Sequence, residues 1–171
     1  MRFGRQHGAP APSGRQREGG FSLIELLIVV AIILIIAAIA LPNLMRARMA
    51  ANETSAIASL RNITTANVVY STAYGIGYSA LLSYLGGPAG PASSTNAQLI
   101  DPILSGGAKS GYAYTYTAGP PNALGMIDSY SIAADPLVPG RTGTRYFFVN
   151  ESGVIRANAT VPATVADNPI Q

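Results

Sequence analysis

The sequence of 171 residues predicts an α+β protein, in which the second half of a long N-terminal helix packs against a small antiparallel β-sheet. The first observation is an apolar run, Phe21–Leu41, whose only polar residues are Ser22 and Glu25. The second is a break in composition. From the start of this run to Tyr74 there is no glycine and one proline, Pro42, whereas most of the 18 glycines and 12 prolines come later. The third is a later run of tyrosines that alternate with small residues, a period typical of strands.

Residues 1–20 form a leader rich in Arg, Gly, Pro and Gln. Its four arginines and one glutamate carry a net charge of 4 − 1 = +3, whereas residues 21–171 hold seven basic and seven acidic side chains and are neutral. Because positive charge beside a membrane span marks the cytoplasmic side, we expect the leader to face the cytoplasm. Since the excess charge lies only in the leader, the high isoelectric point gives no reason to expect nucleic-acid binding by the mature chain.

The apolar run has the length of about 20 residues that a helix needs to cross a bilayer. A charged side chain such as Glu25 costs at least ~2.5–3.5 kcal/mol in lipid, so we expect it to have a partner. Cleavage between Gly20 and Phe21 would supply one, because a free α-amino group has an ordinary pKa of about 7.7–8.0. Glu25 lies about one helical turn beyond that amine, so the sequence favours a partner in another chain. A protonated glutamate without a specific partner is the alternative.

Residues 20–32, GFSLIELLIVVAI, resemble the processing and methylation signature of type IV pilins and pseudopilins. The resemblance implies cleavage after Gly20 by a prepilin peptidase, N-methylation of Phe21 and assembly into a helical filament. It implies that Glu25 pairs with the N-terminal amine of a neighbouring subunit. The implied partners are further copies of the chain, the peptidase that also methylates, and an inner-membrane assembly platform. The implied location is the bacterial inner membrane, then a pilus at the cell surface or a periplasmic filament. An uncleaved signal anchor is the simpler alternative.

The long helix divides at Pro42 into a membrane-spanning half, 21–42, and an amphipathic half, 43–74. Pro42 has no amide hydrogen and should kink or locally open the helix. The resemblance implies that the helix melts there during assembly, and a simple kink at the membrane exit is the alternative. In the second half apolar residues recur every three or four positions, which is typical of a helix with one buried face. The polar face is predicted to hold Arg48, Asn52, Glu53, Arg61 and Asn62.

The remaining chain is predicted to be a connecting region, 75–111, followed by an antiparallel sheet with a C-terminal tail, 112–171. Two short helices are expected in the connecting region, Ser79–Leu85 and Ala97–Leu104. The predicted strands are Tyr112–Thr117, Asp128–Ala134, Arg145–Asn150 and Val154–Ala157, with a turn at Glu151–Gly153 and a tail over Thr160–Gln171.

The sequence gives no support to an enzyme, a cofactor or a metal site. The single histidine, His7, lies in the leader, and there is no cysteine, so the common nucleophile–base pairs are missing. Asp101, Asp128, Asp135 and Glu151 could supply oxygen ligands for calcium, but their spacing matches no calcium loop. The lack of cysteine also excludes the C-terminal disulfide that many Gram-negative pilins carry.

The sequence therefore predicts a structural subunit of a type IV pilus-like filament that polymerises through its N-terminal helix. A pseudopilin of a type II secretion system is the related alternative, because it shares the N-terminal signature. A monomeric, membrane-anchored binding domain is an alternative of another class, which a search for filaments would separate from the first two.

Overall fold

A computed structural model describes residues 20–170, in two compact units that divide between Ala40 and Leu41. The predictions for residues 1–19, including the positive charge of the leader and the position of His7, lie outside the described residues. The helix α1 covers Leu23–Tyr74, with Pro42 inside it. The long helix and the antiparallel sheet described below confirm the predicted α+β class.

In the first unit, the described residues expose their apolar side chains. The large hydrophobic side chains from Phe21 to Ile39 are between 46% and 84% exposed. Within residues 20–170, α1 is the one helix that is long and apolar enough, by length and composition, to cross a membrane. A continuous apolar surface of this size marks a contact with lipid or with other protein.

The connecting region of the second unit contains two helices of one turn each, α2 (Leu82–Leu85) and α3 (Pro102–Ser105). Both are shorter than predicted. The predicted start of the second helix at Ala97 is wrong because Gln98 adopts a positive φ of 55° and Asp101 is extended. A residue before proline avoids the helical region, so a helix can begin only at Pro102. Asp101 then caps α3 by accepting a hydrogen bond from the Leu104 amide at 2.9 Å.

The sheet has five strands in the order in which they occur in the chain, each antiparallel to the next. They are β1 (Ala108–Lys109), β2 (Tyr112–Ala118), β3 (Tyr130–Pro136), β4 (Tyr146–Asn150) and β5 (Arg156–Asn158). The strand β1 was not predicted, because it has only two residues. Ser110 and Gly111 join it to β2 in a two-residue hairpin turn. Their φ values of 49° and 75° are the positive values that such a turn requires at both positions.

The core of the second unit lies between the inner face of the sheet and the outer half of α1. The strand β2 alternates as predicted, since Tyr112 and Tyr114 are buried while Thr115 is exposed. The α1 residues of the core cluster are Ala56, Leu60, Ile63, Ala66 and Tyr70, and the sheet residues include Ile132, Ala134, Phe147 and Val149.

Asn67 is a fully buried polar residue on α1 that joins three parts of this unit. Its Oδ1 accepts hydrogen bonds from the Tyr116 hydroxyl at 3.0 Å and from the Ser79 amide at 3.2 Å. The Tyr116 hydroxyl lies 2.8 Å from the Ser79 carbonyl as well. Because each of these groups would be costly to bury without a partner, the network fixes the connecting region and β2 against the helix.

The C-terminal segment was predicted to be a tail. In the structure it instead folds back along β5. Ala157 donates to the Asn168 carbonyl at 3.1 Å, and Ile170 donates to the Ile155 carbonyl at 2.9 Å. Asp167 holds the intervening loop closed, since its carboxylate accepts hydrogen bonds from Asn158 Nδ2 and from the Thr164 amide, both at 2.7 Å. These bonds also lower the pKa of Asp167 below its ordinary value.

Candidate functional site

The predicted cleavage site, Gly20–Phe21, lies just before α1. The helix begins at Leu23, so both residues precede its first turn. The Phe21 side chain is 84% exposed, and a Cβ placed on Gly20 would meet no atom within 4 Å. An exposed non-helical segment is the form in which a chain is most readily cut by a protease.

Glu25 folds back onto the start of its own helix. Its Oε2 accepts a hydrogen bond of 2.9 Å from the backbone amide of Ser22. The Ser22 carbonyl accepts from the Leu26 amide at 3.3 Å, which is the first turn of helical hydrogen bonding. A Ser followed three residues later by a Glu that returns to the serine amide is the pattern of a capping box. The carboxylate thereby satisfies an amide that would otherwise have no partner at the helix start.

Glu25 lies about one turn beyond residue 21, and helical side chains lean towards the N-terminus. A pair within one chain is therefore conceivable, although it would give no reason to recruit another subunit. The carboxylate of Glu25 therefore reaches the amide of Ser22, which directly follows the amine that cleavage would create on Phe21. The geometry therefore permits Glu25 to pair with the amine of its own chain.

Pro42 lies in the interior of α1 and not at its end. Because it has no amide hydrogen, it cannot donate to the carbonyl of Ala38, as another residue would at this position. The boundary between the two compact units falls between Ala40 and Leu41, beside this proline.

Glu53 was predicted on the polar face of α1, and this was wrong. Only 8% of the surface of Glu53 is exposed to solvent. Its carboxylate accepts hydrogen bonds from the Thr144 amide at 2.9 Å, the Thr144 hydroxyl at 2.8 Å and Arg145 Nε at 2.8 Å. The sequence held the signal for this, because Glu53 precedes Ala56 and Leu60 by three and seven positions and so falls on the buried stripe.

The environment of Glu53 keeps it ionised. Burial by itself would raise the pKa of this carboxyl, but the hydrogen bonds from Thr144 and Arg145 outweigh burial and lower it below the ordinary value. The neighbouring Asn52 donates from Nδ2 to the Thr142 carbonyl at 2.8 Å. Glu53 and Asn52 together hold the loop between β3 and β4 on the helix.

The four carboxylates considered for calcium are not brought together. In the part of the chain that the structure describes, no group of three or more His, Cys, Asp or Glu side chains could hold a metal ion. Asp101 pairs with Lys109 Nζ at 2.8 Å, and Asp128 accepts from Asn122 Nδ2 at 2.6 Å. Asp135 lies apart from them on β3, where burial raises its pKa.

Comparison with known proteins gives two matches. Residues 15–41 match a family model described as the prokaryotic N-terminal methylation motif. The chain is also similar to the type IV wide pilus major component PilA4 of Thermus thermophilus, with 44% identity over 79 residues. That alignment covers 44% of this chain and 60% of the relative, so the chain spans less than two thirds of the relative's length. No solved structure matches.

Proposed function

We infer that this chain is a type IV pilin-like protein, and we propose that it is a structural subunit of a type IV pilus-like filament. The observation that carries the proposal is the first half of α1. Its large apolar side chains are between 46% and 80% exposed, and those up to Leu41 lie within the residues that match the N-terminal methylation motif. The similarity to a protein named as a pilus component supports the same function. A filament subunit works by assembly and needs no catalytic group.

The exposed apolar side chains cannot stay in water. Covering one side chain of Val, Leu or Ile is worth about 1.5–3 kcal/mol, and this segment exposes such side chains on all sides. A helix that is apolar all round belongs in a membrane or in the interior of a larger assembly. Before assembly the first half of α1 lies in the inner membrane, and after assembly it packs against the same segment of other subunits.

Processing precedes assembly. The peptidase cuts between Gly20 and Phe21, removes the positively charged leader on the cytoplasmic side and methylates the new amine of Phe21. The exposure of both residues before the first turn of α1 supports this order. An inner-membrane assembly platform then moves the mature chain into the filament, which extends to the cell surface.

Glu25 changes partner during assembly. In the uncleaved chain its carboxylate accepts a hydrogen bond from the Ser22 amide. Capping of this kind is worth about 0.5–2 kcal/mol. Two opposite unit charges ~4 Å apart attract by about 4 kcal/mol at an effective dielectric near 20. The amine of a neighbouring subunit therefore competes well with the helix start for this carboxylate, and it also fixes the axial register between adjacent helices.

The proposal is tested on sheared surface material. Electron microscopy should show filaments, and mass spectrometry should find this chain in them with Phe21 as a methylated first residue. The matched variant Gly20→Val should keep its leader, because the peptidase must accept a residue without a side chain there. A chain that retains Met1–Gly20, or that is cut after Ala40, would contradict the processing step, and surface material without this chain would contradict the filament.

A further inference from the structure

Six exposed charged side chains of the second unit take part in neither of the two salt bridges that form within residues 20–170. They are four arginines and two acids: Arg46, Arg48, Arg61, Arg141, Asp128 and Glu151. Three of the arginines lie at one end of the unit and both acids lie at the other, while Arg61 lies on α1 between them. The contacts between α1 and the sheet fix these two ends.

The basic end lies at the start of the outer half of α1. Arg48 precedes Asn52 by four positions, so the two side chains lie on the same face of the helix, one turn apart. Asn52 Nδ2 donates to the Thr142 carbonyl at 2.8 Å, which brings the neighbouring Arg141 to this end of the unit. We use the name basic end for Arg46, Arg48 and Arg141.

The acidic end is built from two adjoining strand ends. Asp128 lies two positions before the first residue of β3, and Glu151 directly follows β4. Because β3 and β4 are antiparallel and Ser131 lies opposite Asn150, the start of one strand adjoins the end of the other. We use the name acidic end for Asp128 and Glu151.

The outer half of α1 separates the two ends. The Tyr78 amide donates to the Ile127 carbonyl at 2.7 Å, so the residue before Asp128 lies beside the segment that follows the end of α1 at Tyr74. From Arg48 to Tyr74 the helix rises by about 39 Å, at 1.5 Å per residue. This distance is several times the screening length of roughly 8–10 Å in physiological salt, so the two ends do not neutralise each other within one chain.

A depression of about 320 Å³ lies beside Glu151. Its lining includes Tyr130, Phe148 and Val165, and Glu151 is the one charged residue in it. A carboxylate beside apolar and aromatic surface suits an arginine, because the apolar stem of arginine covers such surface while its guanidinium pairs with the carboxylate. None of the described arginines lines the depression, so an arginine from another chain can enter it.

We propose that the basic end of one subunit binds the acidic end of the next, with an arginine in the depression beside Glu151. This deepens the proposed function and rests on it. The half-buried Asp135 precedes the loop that carries Arg141. With it, the basic end holds three positive charges and one negative charge, a net charge of +2, against −2 at the acidic end. The two ends share no residue, so the contact is heterologous, and a heterologous contact that does not close into a ring repeats into an open helical array.

Charge reversal at each end tests this contact. One chain carries Asp128→Arg and Glu151→Arg, and another carries Arg48→Glu and Arg141→Glu. Each should be cleaved normally, but its yield of sheared filaments should fall by roughly 10-fold or more, because like charges then face each other. A chain with all four substitutions has opposite charges again and should recover most of the yield. Intact mass and the amount of mature chain in the membrane separate assembly from processing.

Two further variants make the test independent of folding and of net charge. Glu151→Gln keeps an oxygen for the Tyr130 amide and removes only the charge, so it should lower the yield by a smaller factor of roughly 2–5. Arg61→Glu reverses an exposed arginine between the two ends and should leave the yield unchanged. Normal yields from both end-reversed chains, no recovery with all four substitutions, or an equal loss from Arg61→Glu would overturn the contact. An unchanged chain that forms no filaments would instead refute the proposed function itself.

Discussion

Glu53 and Arg145 lie 92 positions apart in the sequence and meet at 2.8 Å between a carboxylate oxygen and Nε. The Arg145 guanidinium also lies over the ring of Phe147, 5.3 Å from its centre. Arg145 therefore contacts both Glu53 on the helix and a core residue of the sheet. The Arg145 side chain is 44% exposed, whereas that of Glu53 is 10% exposed. The buried partner is thus the acid, and its loss is expected to cost more than loss of the base.

The first prediction concerns the stability that this acid provides. Glu53→Ala leaves the amides and the hydroxyl of the loop after β3 without an acceptor, so it should lower the free energy of unfolding by about 2–3 kcal/mol. The matched variant is Glu151→Ala, which removes an exposed carboxylate and should cost at most about 0.5 kcal/mol. Chemical denaturation of the full chain in detergent measures both. Equal effects of the two substitutions would contradict a special role for Glu53.

The second prediction concerns pH. The pKa of Glu53 is lower in the folded chain than its ordinary value, so the folded state favours the ionised form. This stabilisation is therefore complete above the ordinary value of about 4.3 and is lost as the pH falls through the lower folded-state pKa. The difference in unfolding free energy between the unchanged chain and Glu53→Gln should shrink between pH 6 and pH 3. A difference that stays constant over this range would show that the charge of Glu53 does not contribute.

The third prediction concerns Glu25. Glu25→Leu should be made, inserted and cleaved but should fail to form filaments, because no carboxylate is left to pair with a neighbouring amine. Glu25→Gln can still accept a hydrogen bond from the Ser22 amide but has no charge, so it should also assemble poorly. Filament yield by electron microscopy, with cleavage followed by intact mass, separates assembly from processing. Normal filaments from both variants would rule out a role for the charge and for the pairing.

The fourth prediction concerns Pro42. If the helix opens there as a subunit leaves the membrane, Pro42→Ala restores the missing amide and should make opening harder. The unassembled chain should stay folded, while filament yield or bending stiffness should change. Bending is measured from the persistence length of filaments in electron micrographs. Unchanged yield and stiffness would leave Pro42 with no role beyond a local change in helix direction.

Most of the fold was predictable because its strongest signals are local. The apolar run, the lack of glycine from Phe21 to Tyr74 and the alternation at Tyr112–Thr117 each depend on neighbouring residues. The loop after β3 was not predictable in the same way, since its attachment to Glu53 joins residues far apart in the sequence. The periodicity nevertheless placed Glu53 on the buried stripe, and only its charge argued for the polar face.

The candidate site was likewise predictable only in part. Gly20, Phe21 and Glu25 could be selected from one short motif, and Ser22 could be read as the first residue of a capping box. The direction in which the Glu25 side chain points decides whether it can reach its own chain, and spacing alone does not give that direction. Likewise, the lack of periodicity after Thr160 predicted a tail, although Asp167 supplies hydrogen bonds that no periodic pattern records.

Closure of the C-terminal loop by Asp167 has a consequence for how the chain could mature outside the cytoplasm. Residues 21–171 contain no thiol, and the loop between Asn158 and Asp167 is closed by hydrogen bonds from Asn158 and Thr164 to Asp167. Such a closure forms as soon as the chain folds and requires no oxidant and no isomerase. Reducing agents should therefore leave the loop intact, so the folded second unit should keep this closure in anaerobic or sulfide-rich surroundings.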